Sequence, residues 1–191
     1  IISNASDAED KLAYRALTDD SVEVKRKDLK ITIVPDKEKR TLTVSDNGVG
    51  MTKDELESNL GTIAKSGSLQ FKQELERDDK AASKVDVIGQ FGVGFYSAIM
   101  VADHITVVTR KYGTDAAWMW QSSGADGYTI TECERDAVGT DIIMHIKPDT
   151  DDEKYSEFLE SWRLQELVRK YSDYIRFPIR MEVSKTRRKE G

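Results

Sequence analysis

The chain has 191 residues, and 29 Lys and Arg against 35 Asp and Glu give a formal net charge of −6. This length suits one globular domain, and a hydrophobic fraction of 38% can supply a core, so wholesale disorder is not expected. The acidic balance argues against nucleic acid as the main partner, because phosphate contacts need a basic surface. No apolar run approaches a membrane span, and no signal-peptide pattern opens the chain. The single Cys133 excludes an internal disulfide framework, and we expect a cytoplasmic protein with no membrane partner.

The first element is predicted to be a helix. Ala5, Ala8, Leu12 and Ala16 fall on one stripe at helical spacing. No capping residue precedes Ile1, and an amphipathic helix without an N-cap usually continues upstream. We therefore expect this sequence to be a fragment that begins inside a helix.

A hairpin and a short helix are predicted next. Residues 29–34 and 41–44 alternate with period two, and the polar segment 35–39 joins them. Thr52 followed by Glu55 three residues later has the pattern of a capping box, which predicts a helix to about Leu60.

The second half of the chain is dominated by strand patterns. Strands are predicted at 104–111, 116–121, 128–132 and 140–147, followed by an amphipathic helix over 155–171 and a last strand at 179–183. Strands that follow strands, with helices elsewhere, indicate an α+β fold with helices on one face of a mostly antiparallel sheet. A parallel doubly wound fold is disfavoured, because the 104–147 block contains no helix.

Three glycine clusters carry the candidate ligand contacts. In DNGVGM (46–51), Asp46 ends a predicted strand and can accept a hydrogen bond from a ligand amino group, although an ordinary Asn-Gly turn is equally favoured. GQFGVGFYS (89–97) runs into an apolar helix, and free N–H groups at a helix N-terminus suit a phosphate. GTIAKSG (61–67) mimics a P-loop but lacks the glycine directly before Lys65, so a phosphate contact and a solvated lysine both stay open.

Several other site types are disfavoured. The order G-x-x-G-x-G in 89–94 is not the dinucleotide-binding fingerprint. His104 and His145 have no matched base or nucleophile for a catalytic triad, and with one cysteine they make a structural zinc site improbable. Packing is favoured over a base-stacking platform for the three tryptophans, Trp118, Trp120 and Trp162.

The order of the motifs is specific. SNASDA (3–8), DNGVGM (46–51), GTIAKSG (61–67), IGQFGVGFYSA (88–98) and Gly139-Thr140 follow one another as in the GHKL ATPase superfamily. Over essentially its whole length the chain resembles the N-terminal nucleotide-binding domain of the bacterial branch of the 90-kilodalton heat-shock chaperones. The resemblance implies a Bergerat two-layer α/β sandwich over residues 1–184, with a lid at about 61–94 and a charged linker starting at 185–191.

The resemblance also implies a site for ATP or ADP. Asn4 would help to hold a Mg²⁺ ion on the phosphates, and Asp46 would bind the adenine amino group with support from Thr140 through water. The other nucleotide contacts that the resemblance implies are at Asp7, Gly50, Met51, Asn59, Lys65, Gly92, Val93, Gly94 and Phe95.

The implied function is that of a chaperone ATPase. Nucleotide binding and hydrolysis would drive lid closure and the remodelling of client proteins, with co-chaperones as further partners. A homodimer would form through a C-terminal domain, and ATP-pocket inhibitors would be expected to bind. The general-base glutamate is expected just before Ile1, so no catalytic residue is present and this chain alone should be nearly inactive. Two alternatives remain: a protein-interaction module without nucleotide turnover, or another GHKL ATPase of the sensor-kinase, DNA-repair or topoisomerase type.

Overall fold

The computed structural model describes residues 1–61, 98, 100–123, 127–171 and 175–181. Within these residues seven strands form one sheet: β1 (Ile31–Asp36), β2 (Thr41–Asp46), β3 (Ala102–Arg110), β4 (Ala117–Ser122), β5 (Thr129–Cys133), β6 (Gly139–Ile146) and β7 (Ile179–Met181). Their order is β5-β4-β3-β6-β2-β1-β7. Every neighbouring pair is antiparallel except β1 with β7, which is parallel. The mostly antiparallel α+β prediction is confirmed.

The described helices are α1 (Ile2–Thr18), α2 (Lys53–Leu56) and α3 (Ser161–Tyr171). α2 runs directly into a π-helical turn at Glu57–Gly61, and short 3-10 turns occur at Arg26–Asp28 and Tyr155–Leu159. In the part of the chain that the structure describes, no helix is both long and apolar enough to cross a membrane.

α1 lies against β1 and β2, as its apolar stripe requires. Ala5 and Leu12 are buried on the side that faces the sheet, whereas Tyr14 and Leu17 are exposed on the other side. The predicted stripe is therefore confirmed.

Two apolar clusters hold the fold together. The main one contains residues of almost every strand, and Ile31, Val107, Trp120 and Ile146 are almost completely buried in it. The smaller one joins α1 to the chain before β7, with Leu12, Leu29 and Phe177 at its centre. Trp120 is thus a core residue, as predicted, while Trp162 on α3 is 59% exposed.

Three details differ from the sequence predictions. β1 continues through Pro35 to Asp36, so the connection to β2 is shorter than predicted. The prediction of a single helix over 155–171 is wrong. A 3-10 turn ends at Leu159, and Glu160 is extended. α3 begins after it, and Leu164 N–H donates to the Glu160 carbonyl at 3.1 Å. The last strand ends at Met181 within the described residues and pairs in parallel with β1.

The predicted capping box at the start of α2 is half formed. Thr52 Oγ1 accepts a hydrogen bond from Glu55 N at 3.2 Å, as an N-cap should. The Glu55 carboxylate instead receives Lys111 Nζ at 2.8 and 3.0 Å. This ion pair joins α2 to the residue that follows β3. The Glu55 carboxylate pairs with the Lys111 ammonium group rather than with Thr52 N–H, because a charged donor attracts it more strongly than a neutral one. Nearly all of the predicted lid, 61–94, and the predicted linker, 185–191, lie outside the described residues.

Candidate functional site

Asp46 lies at the end of β2 with only 7% of its surface exposed. Gly48 N–H donates to Asp46 Oδ1 at 2.9 Å, which closes a tight turn directly after the strand. Burial raises the pKa of Asp46 to about 7, and the Gly48 N–H and the nearby Arg135 guanidinium only partly offset this rise. A carboxylate can accept several hydrogen bonds, so Asp46 keeps capacity for a donor from a ligand.

Asn47 fixes the same turn to a neighbouring segment. Its side-chain Oδ1 accepts Lys30 N–H at 2.8 Å, and its Nδ2 donates to the Asp28 carbonyl at 2.6 Å. This amide thus pairs with one N–H and one carbonyl of the segment before β1. The sequence alone left an ordinary Asn-Gly turn open for this segment, and the structure gives the Asn side chain a specific anchoring role.

Close backbone contacts surround the turn. Val49 N–H donates to the Ala8 carbonyl of α1 at 3.0 Å, and a Cβ on Gly48 would lie 2.5 Å from the Ala8 carbonyl carbon. Gly50 has φ +70°, and a Cβ there would lie 1.9 Å from the Arg110 carbonyl oxygen. The turn is therefore held between α1 and the end of β3, with no room for side chains at Gly48 and Gly50.

A row of hydroxyl groups lies beside Asp46. Thr140 of β6 faces Asp46 of β2 in the sheet, and Thr109 of β3 faces Thr140 from the other side. Thr109 Oγ1 and Thr140 Oγ1 are 2.8 Å apart, and Thr109 Oγ1 also lies 3.2 Å from the Gly139 carbonyl oxygen and accepts Met51 N–H at 3.0 Å. In either direction of the Thr109–Thr140 hydrogen bond, Thr140 keeps hydrogen-bonding capacity for a further partner.

The structure thus brings together four of the predicted contacts: Asp46, Gly50, Met51 and Thr140. A fifth, Asn59, lies in the turn that follows α2, and its Nδ2 is 3.8 Å from Met51 Sδ. Asn4 and Asp7 are exposed on α1, upstream of the Ala8 carbonyl that holds the turn. The other predicted contacts lie outside the described residues: Lys65, Gly92, Val93, Gly94 and Phe95.

Two residues of this region were missed by sequence reasoning. Thr109 is completely buried and links Met51 to β6. Its sequence signal was a polar residue at an inward position of β3, where the other inward residues, Ile105 and Val107, are apolar. Glu9 is also completely buried, one residue after the helix carbonyl that holds the turn. It lies four residues after Ala5, within the apolar stripe of α1, where a carboxylate is unexpected.

A surface groove of about 470 Å³ lies along the exposed side of α1. Asp10, Lys11, Tyr14, Arg15, Val49 and Lys111 line it. None of the predicted ligand contacts is among these residues. The convergence of buried polar groups is at Asp46, and we therefore assign the candidate site there rather than to the groove.

Metal binding by protein side chains alone has no support among the described residues. No group of three or more His, Cys, Asp or Glu side chains in that part of the chain is arranged to hold an ion. The exposed amide of Asn4 offers one oxygen ligand, which fits Mg²⁺ that is held mainly by phosphates and water.

Comparisons with known proteins identify the family of the chain. Residues 1–140 match the sequence model of the family described as histidine kinase-, DNA gyrase B-, and HSP90-like ATPase. Over the whole chain, identity is 57% to the chaperone protein HtpG of Clostridium perfringens, 56% to that of Bacillus subtilis and 57% to that of Halalkalibacterium halodurans. The chain spans 30% of the length of these relatives. It belongs to the histidine kinase-, DNA gyrase B- and HSP90-like ATPase family.

Proposed function

We propose that this chain is the adenine-nucleotide-binding domain of a molecular chaperone and that Asp46 recognises the adenine base. The single observation that carries the proposal is the buried Asp46 carboxylate, held by Gly48 N–H beside the Thr140 hydroxyl. The family match and the similarity to proteins named HtpG support the same reading.

Base selectivity follows from hydrogen-bonding chemistry. An ionised carboxylate is an acceptor only, and adenine presents an exocyclic amino group at the position where guanine presents a carbonyl oxygen. Asp46 therefore attracts adenine and repels guanine. Thr140, with its spare hydrogen-bonding capacity, would hold a water that bridges to the base, and Thr109 would orient that hydroxyl. Met51 N–H donates to Thr109 Oγ1, which holds this segment beside the row of hydroxyl groups. Gly50 and Met51 would therefore border the base.

The phosphate side of the proposed site draws on α1 and on segments outside the described residues. Asn4 would offer its amide oxygen to Mg²⁺, Asp7 would lie one helical turn further along, and Asn59 would approach from the turn after α2. When bound, Mg²⁺ would neutralise phosphate charge. Backbone N–H groups of Gly92, Val93, Gly94 and Phe95, together with Lys65, would bind the phosphates themselves.

The role in the whole protein is a further part of the proposal. Nucleotide binding and hydrolysis would drive closure of residues 61–94 and the remodelling of client proteins, in a cytoplasmic homodimer. ADP or ATP should then protect residues 61–94 from limited proteolysis. A phosphate-release assay on the 191-residue chain tests the expectation that it alone hydrolyses ATP poorly.

Calorimetric titration of the chain with ADP and with GDP, each with Mg²⁺, tests the proposed function. ADP should bind and GDP should not, because its carbonyl oxygen would face the Asp46 carboxylate. Sites built to pair with a polar group reject the mismatched analogue by large factors, on the order of a hundredfold or more. Equal affinity for the two nucleotides would remove Asp46 as the base-recognising group, and no binding of either would favour the protein-interaction module.

A further inference from the structure

Glu9 is a buried carboxyl group that the proposed function does not use. Its side chain has no exposed surface, and within the described residues no hydrogen bond of normal geometry reaches Oε1 or Oε2. The Asn47 and Lys30 N–H groups give its ionised form some stabilisation, but Lys30 N–H is already committed to Asn47 Oδ1 at 2.8 Å. A charged carboxylate in this position would be costly, since burial without partners disfavours the ionised form.

The backbone places Glu9 directly behind the Asp46 turn. A Cβ on Gly48 would lie 2.7 Å from Glu9 N, and Val49 N–H is bonded to the carbonyl of the preceding residue, Ala8, at 3.0 Å. The helix segment that carries Glu9 is thus in van der Waals contact with the turn that carries Asp46. The negative charge of Asp46 therefore disfavours an ionised Glu9.

The charges around the pair explain which member holds a proton. Glu9 experiences the negative charges of Asp46 from β2 and, more weakly, of Asp10 from its own helix. Asp46 is close to Arg135, whose charge favours ionisation, and to Asp141, which opposes it. Burial is the main cause that raises the pKa of both groups to about 7, and at Glu9 the charge of Asp46 contributes to that rise. Asp46 also has the Gly48 N–H at 2.9 Å, so it is the member better equipped to carry the negative charge.

We propose that Glu9 is a positioning residue for base recognition: it holds the proton of a coupled carboxyl pair, which leaves Asp46 ionised as the acceptor for adenine, and nucleotide binding draws a proton onto Glu9. This inference rests on the proposed function. A bound adenine favours the ionised Asp46 that accepts its amino group, and the negative charge of Asp46 in turn disfavours an ionised Glu9. The proton comes from the solvent buffer and is held on the Glu9 carboxylate, so no other reactant is needed.

Affinity should therefore depend on pH in two directions. As pH falls below about 7, Asp46 takes up a proton and the affinity for ADP weakens, by at most about tenfold per pH unit. As pH rises above 7, Glu9 loses its proton and the affinity weakens again. Glu9→Gln, which imitates the protonated carboxyl at all pH values, should keep the acid limb and lose the alkaline limb.

The experiment is calorimetric titration with ADP between pH 5.5 and 9, in pairs of buffers with different ionisation enthalpies, which counts the protons taken up. Asp10→Asn is the matched control, because it removes the same charge from the neighbouring exposed position on α1. Wild type and Asp10→Asn should take up a fraction of a proton above pH 7 that is missing in Glu9→Gln. Titration of the phosphate groups of ADP is common to all three proteins and cancels in the comparison.

The outcomes separate the two claims. If wild type binds ADP but Glu9→Gln shows the same proton uptake and the same alkaline limb, the role of Glu9 is overturned. If wild type binds no ADP at any pH, the proposed function itself fails. Should Glu9→Gln not fold, carbon-13 NMR titration of wild type without ligand decides. A Glu9 carboxyl that titrates above Asp46 supports the inference, and one that titrates near the ordinary value of about 4.3 overturns it.

Discussion

Asp46 and Thr140 stand directly opposite each other across the β2–β6 ladder, and both are almost fully buried. Opposite residues of an antiparallel pair point to the same face of the sheet, so the carboxylate and the hydroxyl leave that face side by side. Thr109 extends the row onto β3 by facing Thr140. Three neighbouring strands thus contribute one polar side chain each to a single line, which is the rigid arrangement that the proposed adenine contact requires.

Thr109→Val should destabilise the domain. The hydroxyl is buried and serves Met51 N–H, the Gly139 carbonyl and Thr140, and valine keeps the shape but leaves these groups without that partner. We expect a loss of about 1–3 kcal/mol in the free energy of unfolding, measured with urea. Thr106→Val, the same change at a half-buried position on β3, is the control and should have a smaller effect. Equal losses would contradict the role of the hydroxyl row.

Gly50→Ala should be far more damaging than Gly113→Ala. Both glycines have a positive φ, +70° and +82°, so each alanine incurs the left-handed backbone cost of about 1–2 kcal/mol. A Cβ on Gly50 would also lie 1.9 Å from the Arg110 carbonyl oxygen, whereas no atom of the described residues lies within 4 Å of a Cβ on Gly113. Thermal unfolding of the two variants measures the difference. A similar loss of melting temperature in both would mean that the turn is not packed against β3 as described.

Glu9→Leu should stabilise the domain at alkaline pH. Glu9 and Asp46 have folded-state pKa values of about 7, raised from ordinary values of 4.5 and 3.8. Between about pH 4 and 7 the folded chain therefore keeps protons that the unfolded chain has lost, so the stability from these groups falls as pH rises and levels off above 7. Removing the buried charge should add on the order of 1–3 kcal/mol at pH 8 and less at pH 5.

Urea unfolding of wild type, Glu9→Leu and Asp10→Asn at the two pH values checks this prediction. The variant at Glu9 should show a flatter dependence of unfolding free energy on pH, and the variant at Asp10 should follow wild type. A Glu9→Leu protein that is less stable than wild type at pH 8 would show that the carboxylate has favourable contacts in the folded state.

Most strands could be predicted from the sequence, because one face of each is buried and period-two alternation survives in the residue types. β2 and β6 are examples, with inward Leu42, Val44, Ile142 and Met144. The break between Leu159 and α3 could not be predicted. Glu160 leaves the helical conformation without a glycine or proline, so the helical period continues through it.

The candidate site was predicted in part for a similar reason. Asp46 and its glycines carry a local signal, because a strand-terminal carboxylate before Gly-x-Gly is readable in the sequence. Thr109 and Glu9 acquire their importance from segments far along the chain, Met51 and Gly139 in one case and Asn47 in the other. A polar residue within a buried pattern was the only local sign of either, and its partners became visible only in three dimensions.

Calorimetric titration of Asp46→Asn with ADP tests the central claim most directly. Gly48 N–H already occupies one oxygen of Asp46, so an amide must turn its NH₂ group towards either Gly48 or the adenine amino group, and one donor then faces another. Asp36→Asn is the matched control, because Asp36 also ends a strand and accepts a backbone N–H, from Lys39 at 3.0 Å, away from the site. We predict unchanged ADP binding in Asp36→Asn and a loss of at least about tenfold in Asp46→Asn, with matching circular dichroism. Equal ADP affinity in the two folded variants would contradict the assignment of Asp46 as the base-recognising group.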